Sequence, residues 1–250
     1  MKQYKKCYEL KNIAKDKLDG KYFLAVTVCF TSVAIEYFVS LLIGNILLSI
    51  FPNPIRATGI SVLAFVVNVI FSLALNWVLG VMRLGTSLFF LNVACGLPYK
   101  LADLFYGYRN DSTRALIVSG VYTLLSAVCQ MPGQYLTQAF FYTHDVSLII
   151  AGAAAEIIGL CILLPVSAGI SLSFYLLLDF PNKSAQEVLL LSLRIMKGHK
   201  RRWLYMTLSF LPLIVLCLLS IYIGFLWLMP YMQMTYACFF LDIMNPKETA

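Results

Sequence analysis

Three ionisable residues stand inside long apolar runs: Glu36, Arg83 and Glu156. Burying such a charge in hydrocarbon costs at least about 2.5 kcal/mol, so each must be neutralised, paired or turned toward a polar path. Counted at about 1.5 Å per residue from Lys21 and from Gly96, Glu36 and Arg83 fall at one depth, about 20 Å from the same face. They are therefore predicted to meet. Such a pair serves either as a relay for a proton or substrate, or as a satisfied contact that sets how two helices pack. The structural reading is preferred, because a buried pair specifies geometry. Glu156 lies nearer the opposite face, and depth gives it no partner; it is a second candidate polar site.

Other chemistry has little to work with. The two histidines are His144 and His199, and the seven cysteines include no Cys-x-x-Cys pair. Neither a zinc site nor a disulfide framework is expected. No pair of aspartates, His–Glu or Ser–Lys set suggests a general base or nucleophile. A nucleotide-binding loop is absent too, so any energy from ATP would come through a partner subunit. The expectation is a non-enzymatic chain without cofactor or metal, with a membrane-embedded enzyme the least favoured alternative.

A basic knot, Lys197, His199, Lys200, Arg201 and Arg202, carries two readings. It holds anionic lipid headgroups at about 1 kcal/mol per charge, or it only marks which side of a membrane its loop occupies. The second reading suffices by itself.

The elements that carry these residues are written in the composition. Hydrophobic residues make up 60%, charged residues 12%, and mean hydropathy is +0.81. A soluble domain is nearer one-quarter charged, so most of this chain belongs in lipid or in a membrane-buried core. The net charge of +7 does not indicate nucleic acid, since the cations cluster in short stretches between apolar runs. Residues 1–21, 96–114, 183–202 and the C-terminal tail hold nearly all of them. That bias places both termini in the cytoplasm. Glu36 within the first run, with no small-x-small site after it, argues for an uncleaved first span.

Residues 8–18 set Leu10, Ile13, Ala14 and Leu18 opposite Glu9, Lys11, Lys15 and Asp16, the pattern of a helix lying in the membrane interface. Residues 22–50 form a first span, and the two prolines of 51–56 form a turn. A second span over 59–95 is too long to be straight, with a weak point expected at Gly80 or Gly85. Residues 97–108 repeat the amphipathic pattern. A third span covers 115–130, followed by a Pro132-Gly133 turn and the aromatics Tyr135, Phe140, Phe141 and Tyr142 of an interfacial belt. The fourth, 146–178, is expected to kink at Pro165. Ser184 and Glu187 make a capping box for a third amphipathic helix ending at Gly198. Residues 203–223 and 226–241 supply spans five and six. Asn45, Asn68 and Asn76 are expected to hydrogen-bond between helices.

The amphipathic segments end at Gly20, Gly107 and Gly198, about a third of the chain apart. The stretches 85–98, 169–181 and 232–246 also share aromatics, then Asn or Asp, then proline. The reading is an all-α polytopic bundle, one integral membrane domain over 1–250. It comprises three pseudo-repeats (8–96, 97–182, 183–245), each an interfacial cytoplasmic helix followed by a hairpin of two transmembrane helices. Three hairpins around a pseudo-threefold axis would share a basic collar.

Over Leu176-Leu-Leu-Asp-Phe-Pro-Asn-Lys-Ser-Ala-Gln-Glu-Val and Ser192-Leu-Arg-Ile-Met-Lys-Gly-His-Lys, the chain resembles bacterial integral membrane proteins grouped as domain of unknown function 975. These are distantly similar to the membrane domain attached to some glycerophosphodiester phosphodiesterases. Residues 10–22 and 85–105 fit as well, and Leu211-Pro212 departs from the usual pattern. The resemblance implies a bacterial plasma-membrane protein; phosphodiesterase activity does not carry over. The leading expectation is a scaffold or accessory subunit contacting anionic lipid and a membrane-protein or ATPase partner. The alternative is a small transporter or export-complex component with a polar path.

Overall fold

A computed structural model describes residues 2–50, 62–143, 145–245 and 247–248. The turn expected over 51–56, His144, and the side chains of Asn68, Phe141 and Tyr142 lie outside the described residues.

The first helix, α1 (Cys7–Leu18), begins where the Glu9 carboxylate accepts the Lys6 backbone N–H at 2.9 Å. Lys15 and Lys17 in its last turn suit the negative end of the helix dipole. Gly20 follows at φ +68°, a conformation that glycine takes without Cβ strain. The anticipated stripe is present, since Leu10, Ala14 and Leu18 are buried. It does not face lipid. Its partner is α12 (Phe225–Met244), across which α1 packs.

Next comes α2 (Tyr22–Ile50), with Phe23, Tyr37 and Phe38 on its exposed side. The second run divides into α3 (Val62–Leu79) and α4 (Met82–Cys95) at Gly80. A Cβ on Gly80 would lie 2.1 Å from Ser119 Oγ, so glycine permits the next long helix to approach. A left-handed Gly96 closes α4, with Leu97 N–H donating to Asn92 O at 2.9 Å.

The second amphipathic segment is shorter than its pattern suggests. It is a 3-10 helix over Leu101–Phe105 running into α5 (Tyr106–Arg109). Pro98 disfavours helix at Leu97. The backbone of Leu104 is pressed against Gly85, whose added Cβ would lie 2.0 Å from Leu104 O. Gly107 does not end a helix in a left-handed turn. It sits inside α5, where a Cβ would lie 2.7 Å from Val81 Cγ1.

The Pro132-Gly133 turn does not form. Instead α6 (Ser112–Thr143) continues through Pro132, and α7 (Val146–Ile170) returns against it after Asp145 accepts Ser147 N–H at 3.0 Å. The reason is a glycine seam. Cβ atoms at Gly133, Gly152 and Gly159 would come within 2.6, 2.6 and 2.1 Å of Glu156 Cγ, Thr137 Oγ1 and Cys129 O. Small residues let two helix backbones approach closely, which offsets the hydrogen bond that proline removes.

Pro165 likewise lies within α7, and the break falls later, at Ser171–Leu172, before α8 (Ser173–Asp179). That is where the chain passes from exposed residues such as Ile162 into the buried run of Leu172, Leu176 and Leu177. The Ser184–Glu187 capping box opens α9 (Ala185–Ile195) as expected. Gly198, at φ +100°, leads into α10 (Lys200–Leu208). The fifth run breaks at Ser209–Phe210, and α11 (Leu211–Leu219) restarts with Pro212 in its first turn, where no N–H is needed.

Among the described residues, five stretches are long and apolar enough to cross a membrane: Tyr22–Ile46, Val69–Cys95, Ser112–Thr137, Val146–Asp179 and Lys200–Leu219. The remaining long helix, α12, is largely enclosed. Phe239 and Phe240 are fully buried with Phe89, Phe90 and Phe210 in the core. Beyond α12, β2 (Lys247–Glu248) pairs antiparallel with β1 (Lys2–Gln3), which sets the two ends of the chain side by side.

Candidate functional site: a charged pair in a largely apolar cavity

A partly open cavity of about 540 Å³ lies where α2, α4, α6, α8 and α12 converge. Its lining follows helical periodicity. Cys29, Ser32, Val33 and Glu36 make one face of α2; Arg83, Thr86 and Ser87 make one face of α4. From α12 come Met229, Met232, Gln233 and Tyr236, again at three- and four-residue steps. With Tyr122 from α6 and Tyr175 from α8, residues from each of the expected stretches 8–96, 97–182 and 183–245 line the cavity.

Arg83 owes its position to its neighbours. Val81, Met82 and Leu84 are buried, while Arg83 is exposed to the cavity. Its guanidinium carbon lies 4.4 Å from the ring centroid of Tyr122 on α6, a cation–π contact. Glu36 is half-buried on the facing wall, within electrostatic reach of Arg83. The predicted direct contact is not made: among the described residues the ion pairs within 4.0 Å are Arg114–Asp111 and Arg202–Asp242. Tyr122 holds the guanidinium toward α6, and the two charges face a shared space instead of each other.

Three of the wall hydroxyls spend their protons on their own helices. Thr86 Oγ1 donates to Met82 O at 3.0 Å, Ser167 Oγ to Leu164 O at 3.0 Å and Ser171 Oγ to Ala168 O at 2.9 Å. Their remaining capacity is as acceptors. Trp203 and Tyr236 stack at 5.9 Å and close another side with an aromatic surface.

Glu156 is not part of this cavity; it packs against Gly133 in the α6–α7 seam. Asn45 and Asn76 do not reach across helices. Each donates to its own helix, to Leu41 O at 2.9 Å and Ser72 O at 2.8 Å.

The basic knot divides. Lys197 and Arg201 are exposed, and Lys200 is half-buried beside Gly169. Arg202 is committed internally: it pairs with Asp242 at 2.5 Å, donates to Lys5 O at 2.6 Å and lies over the Phe239 ring. Lys5 N–H in turn donates to Asp242 Oδ1 at 3.3 Å. His199 meets the Tyr4 ring edge-on at 4.6 Å. Burial, then the Arg202 charge, holds its imidazole below the usual range, with Asp242 opposing. This clasp ties the two ends of the chain together.

A second tie was not anticipated. Arg114 pairs with Asp111 at 2.6 Å and donates to Phe180 O, Pro181 O and Lys183 O at 3.2, 2.7 and 3.1 Å. The Asp-x-x-Arg spacing was its only local signal. Among the described residues no three His, Cys, Asp or Glu side chains gather as metal ligands.

Compared with known proteins, residues 1–247 match a family described as Protein of unknown function (DUF975). Neither curated proteins nor solved structures give a match.

Proposed function

The chain belongs to the DUF975 family, and from that premise we propose a small-molecule transporter or export-complex component that binds its ligand in the intramembrane cavity. The setting is a bacterial plasma membrane. Six spans form three hairpins over 8–96, 97–182 and 183–245, with α12 as the sixth and both termini cytoplasmic. The paired chain ends and the clustered cations support that orientation. The likeness to the membrane domain of some glycerophosphodiester phosphodiesterases is taken as one of architecture alone.

One observation carries the reading. Glu36 and Arg83 reach the same cavity without joining each other. A purely structural pair would close on itself, because each unpaired charge in an apolar setting costs several kcal/mol. Charges held apart around an open space stay available to a visitor, and broken helices such as α3–α4 and α7–α8 are the usual frame for such sites.

The test is aqueous access. In a cysteine-free background, Ser32→Cys and Thr86→Cys should react with a membrane-impermeant thiol reagent in intact cells or inverted vesicles. A Leu42→Cys control on the exposed side of α2 should not. Equal inertness of all three positions contradicts the proposal.

A scaffold or accessory role is the second reading. It rests on exposed Arg194, Lys197 and Arg201 beside exposed Leu190 and Leu193, a surface suited to anionic lipid and a partner protein. Loss of partner co-purification in a triple Gln variant, with cavity labelling intact, favours it.

A further inference from the structure

We infer that the cavity binds a zwitterion with an apolar substituent: one molecule carrying an anionic group and an ammonium group close together. This rests on the cavity reading and names its ligand class.

The charge pattern comes first. The wall bears one carboxylate, Glu36, and one guanidinium, Arg83, so its formal charge is zero. A ligand with a single charge satisfies one wall group and leaves the other unmatched in apolar surroundings. A ligand with both signs satisfies the two together.

Separation comes second. The two groups line one cavity yet lie beyond 4.0 Å of each other, which leaves space between them for an interposed dipole. The Arg83 guanidinium sits over the Tyr122 ring and joins no ion pair among the described residues, so its N–H groups remain for a carboxylate or phosphate. Ser32, one turn before Glu36 on the same face of α2, adds an acceptor for an ammonium.

The remaining wall sets the rest of the ligand. Ile214, Phe225, Met229 and Met232 are apolar, and methionine adapts to varied shapes. The 540 Å³ volume falls within the range of sites for drug-sized ligands, more than a charged head alone fills.

Two sources share this chemistry: an apolar amino acid, or a single-chain zwitterionic lipid. The experiment uses the full chain in nanodiscs. Equilibrium binding is measured for phenylalanine and for lysophosphatidylethanolamine. Each is compared with single-charge counterparts: N-acetylphenylalanine, phenylalanine amide and lysophosphatidylglycerol.

One zwitterion should bind at least about tenfold more tightly than its single-charge counterparts. Which of the two binds identifies the source. Glu36→Gln and Arg83→Gln should each weaken the zwitterion about tenfold or more, whereas Glu36→Asp, which keeps the charge, should stay within a few-fold. Unfolding temperature and gel filtration of each variant separate lost binding from lost folding.

Equal affinity for single-charge counterparts overturns the inference, as does binding indifferent to both Gln variants. If neither zwitterion binds while Ser32→Cys still labels, the ligand class fails and the cavity reading survives. If Ser32→Cys and Thr86→Cys do not label, the cavity reading itself fails.

Discussion

Gly85→Ala replaces one hydrogen with a methyl group at the tightest seam between α4 and the segment that follows it. The new Cβ would lie 2.0 Å from Leu104 O, 2.4 Å from Leu104 C and 2.6 Å from Asp103 O. All three are backbone atoms, so no side chain can swing aside. Real Cβ contacts stay beyond 3.0 Å, and α4 would have to retreat by about 1 Å or more from Leu104, whose side chain is fully buried. Overpacking typically costs 1–3 kcal/mol, and a backbone obstacle puts this case near about 3 kcal/mol. For a chain of this size that is a fall of about 6–12 °C in unfolding temperature. Tryptophan fluorescence during heating in detergent reads the change. Two other glycines calibrate the result. Gly44 lies within α2 with nothing near its missing Cβ, so Gly44→Ala should be neutral or raise stability by up to about 1 kcal/mol. Gly20 has equal room but φ +68°, so Gly20→Ala should cost about 1 kcal/mol from backbone strain alone. A Gly85→Ala protein that melts within 2 °C (~) of wild type refutes the packing argument.

Asp242→Asn strips the countercharge from Arg202, whose side chain is 19% exposed, and should cost about 3 kcal/mol. Limited proteolysis should then cut the two chain ends faster; unchanged cutting contradicts the clasp. The depressed imidazole of His199 adds a pH dependence to the same clasp. Its contribution is present above the unfolded imidazole pKa of about 6.5 and is lost as pH falls through the lower folded value. His199→Phe, which keeps a ring beside Tyr4, should flatten that acid-side loss in melting curves; an unaltered profile sinks the assignment. Pro132→Ala restores a helix donor within α6, so stability should hold or rise. A clear loss would mean that the proline serves a turn.

The sequence is most legible where short-range chemistry decides the outcome. The α1 stripe, the Ser184–Glu187 box, the helix ends near Gly20 and Gly198, and the break at Gly80 each depend on residues within one or two turns. Depth counting also brought Glu36 and Arg83 to one place. What it lacked was Tyr122, whose ring on another helix draws the guanidinium aside. The same limit explains the misread proline signals. Pro132-Gly133 looks like a turn until α7 is set against it, when Gly133 becomes the place where Glu156 packs. Pro165 marks a weakened helix, yet the break follows burial six residues on. Gly107 resembles Gly20 and Gly198 in sequence but is small for a different reason, contact with Val81. Arg202 looks in sequence like part of a surface cluster because its partner, Asp242, lies far along the chain.

The central claim is that Glu36 and Arg83 serve the cavity and not each other. A double-mutant cycle on unfolding free energy tests it most directly, with Glu36→Gln, Arg83→Gln and the combined variant unfolded in mixed micelles. The account predicts near-additive effects, a coupling below about 1 kcal/mol, because the two groups share no contact. A coupling of about 3 kcal/mol, with the double variant recovering the stability lost in either single one, would make them a structural pair and contradict it.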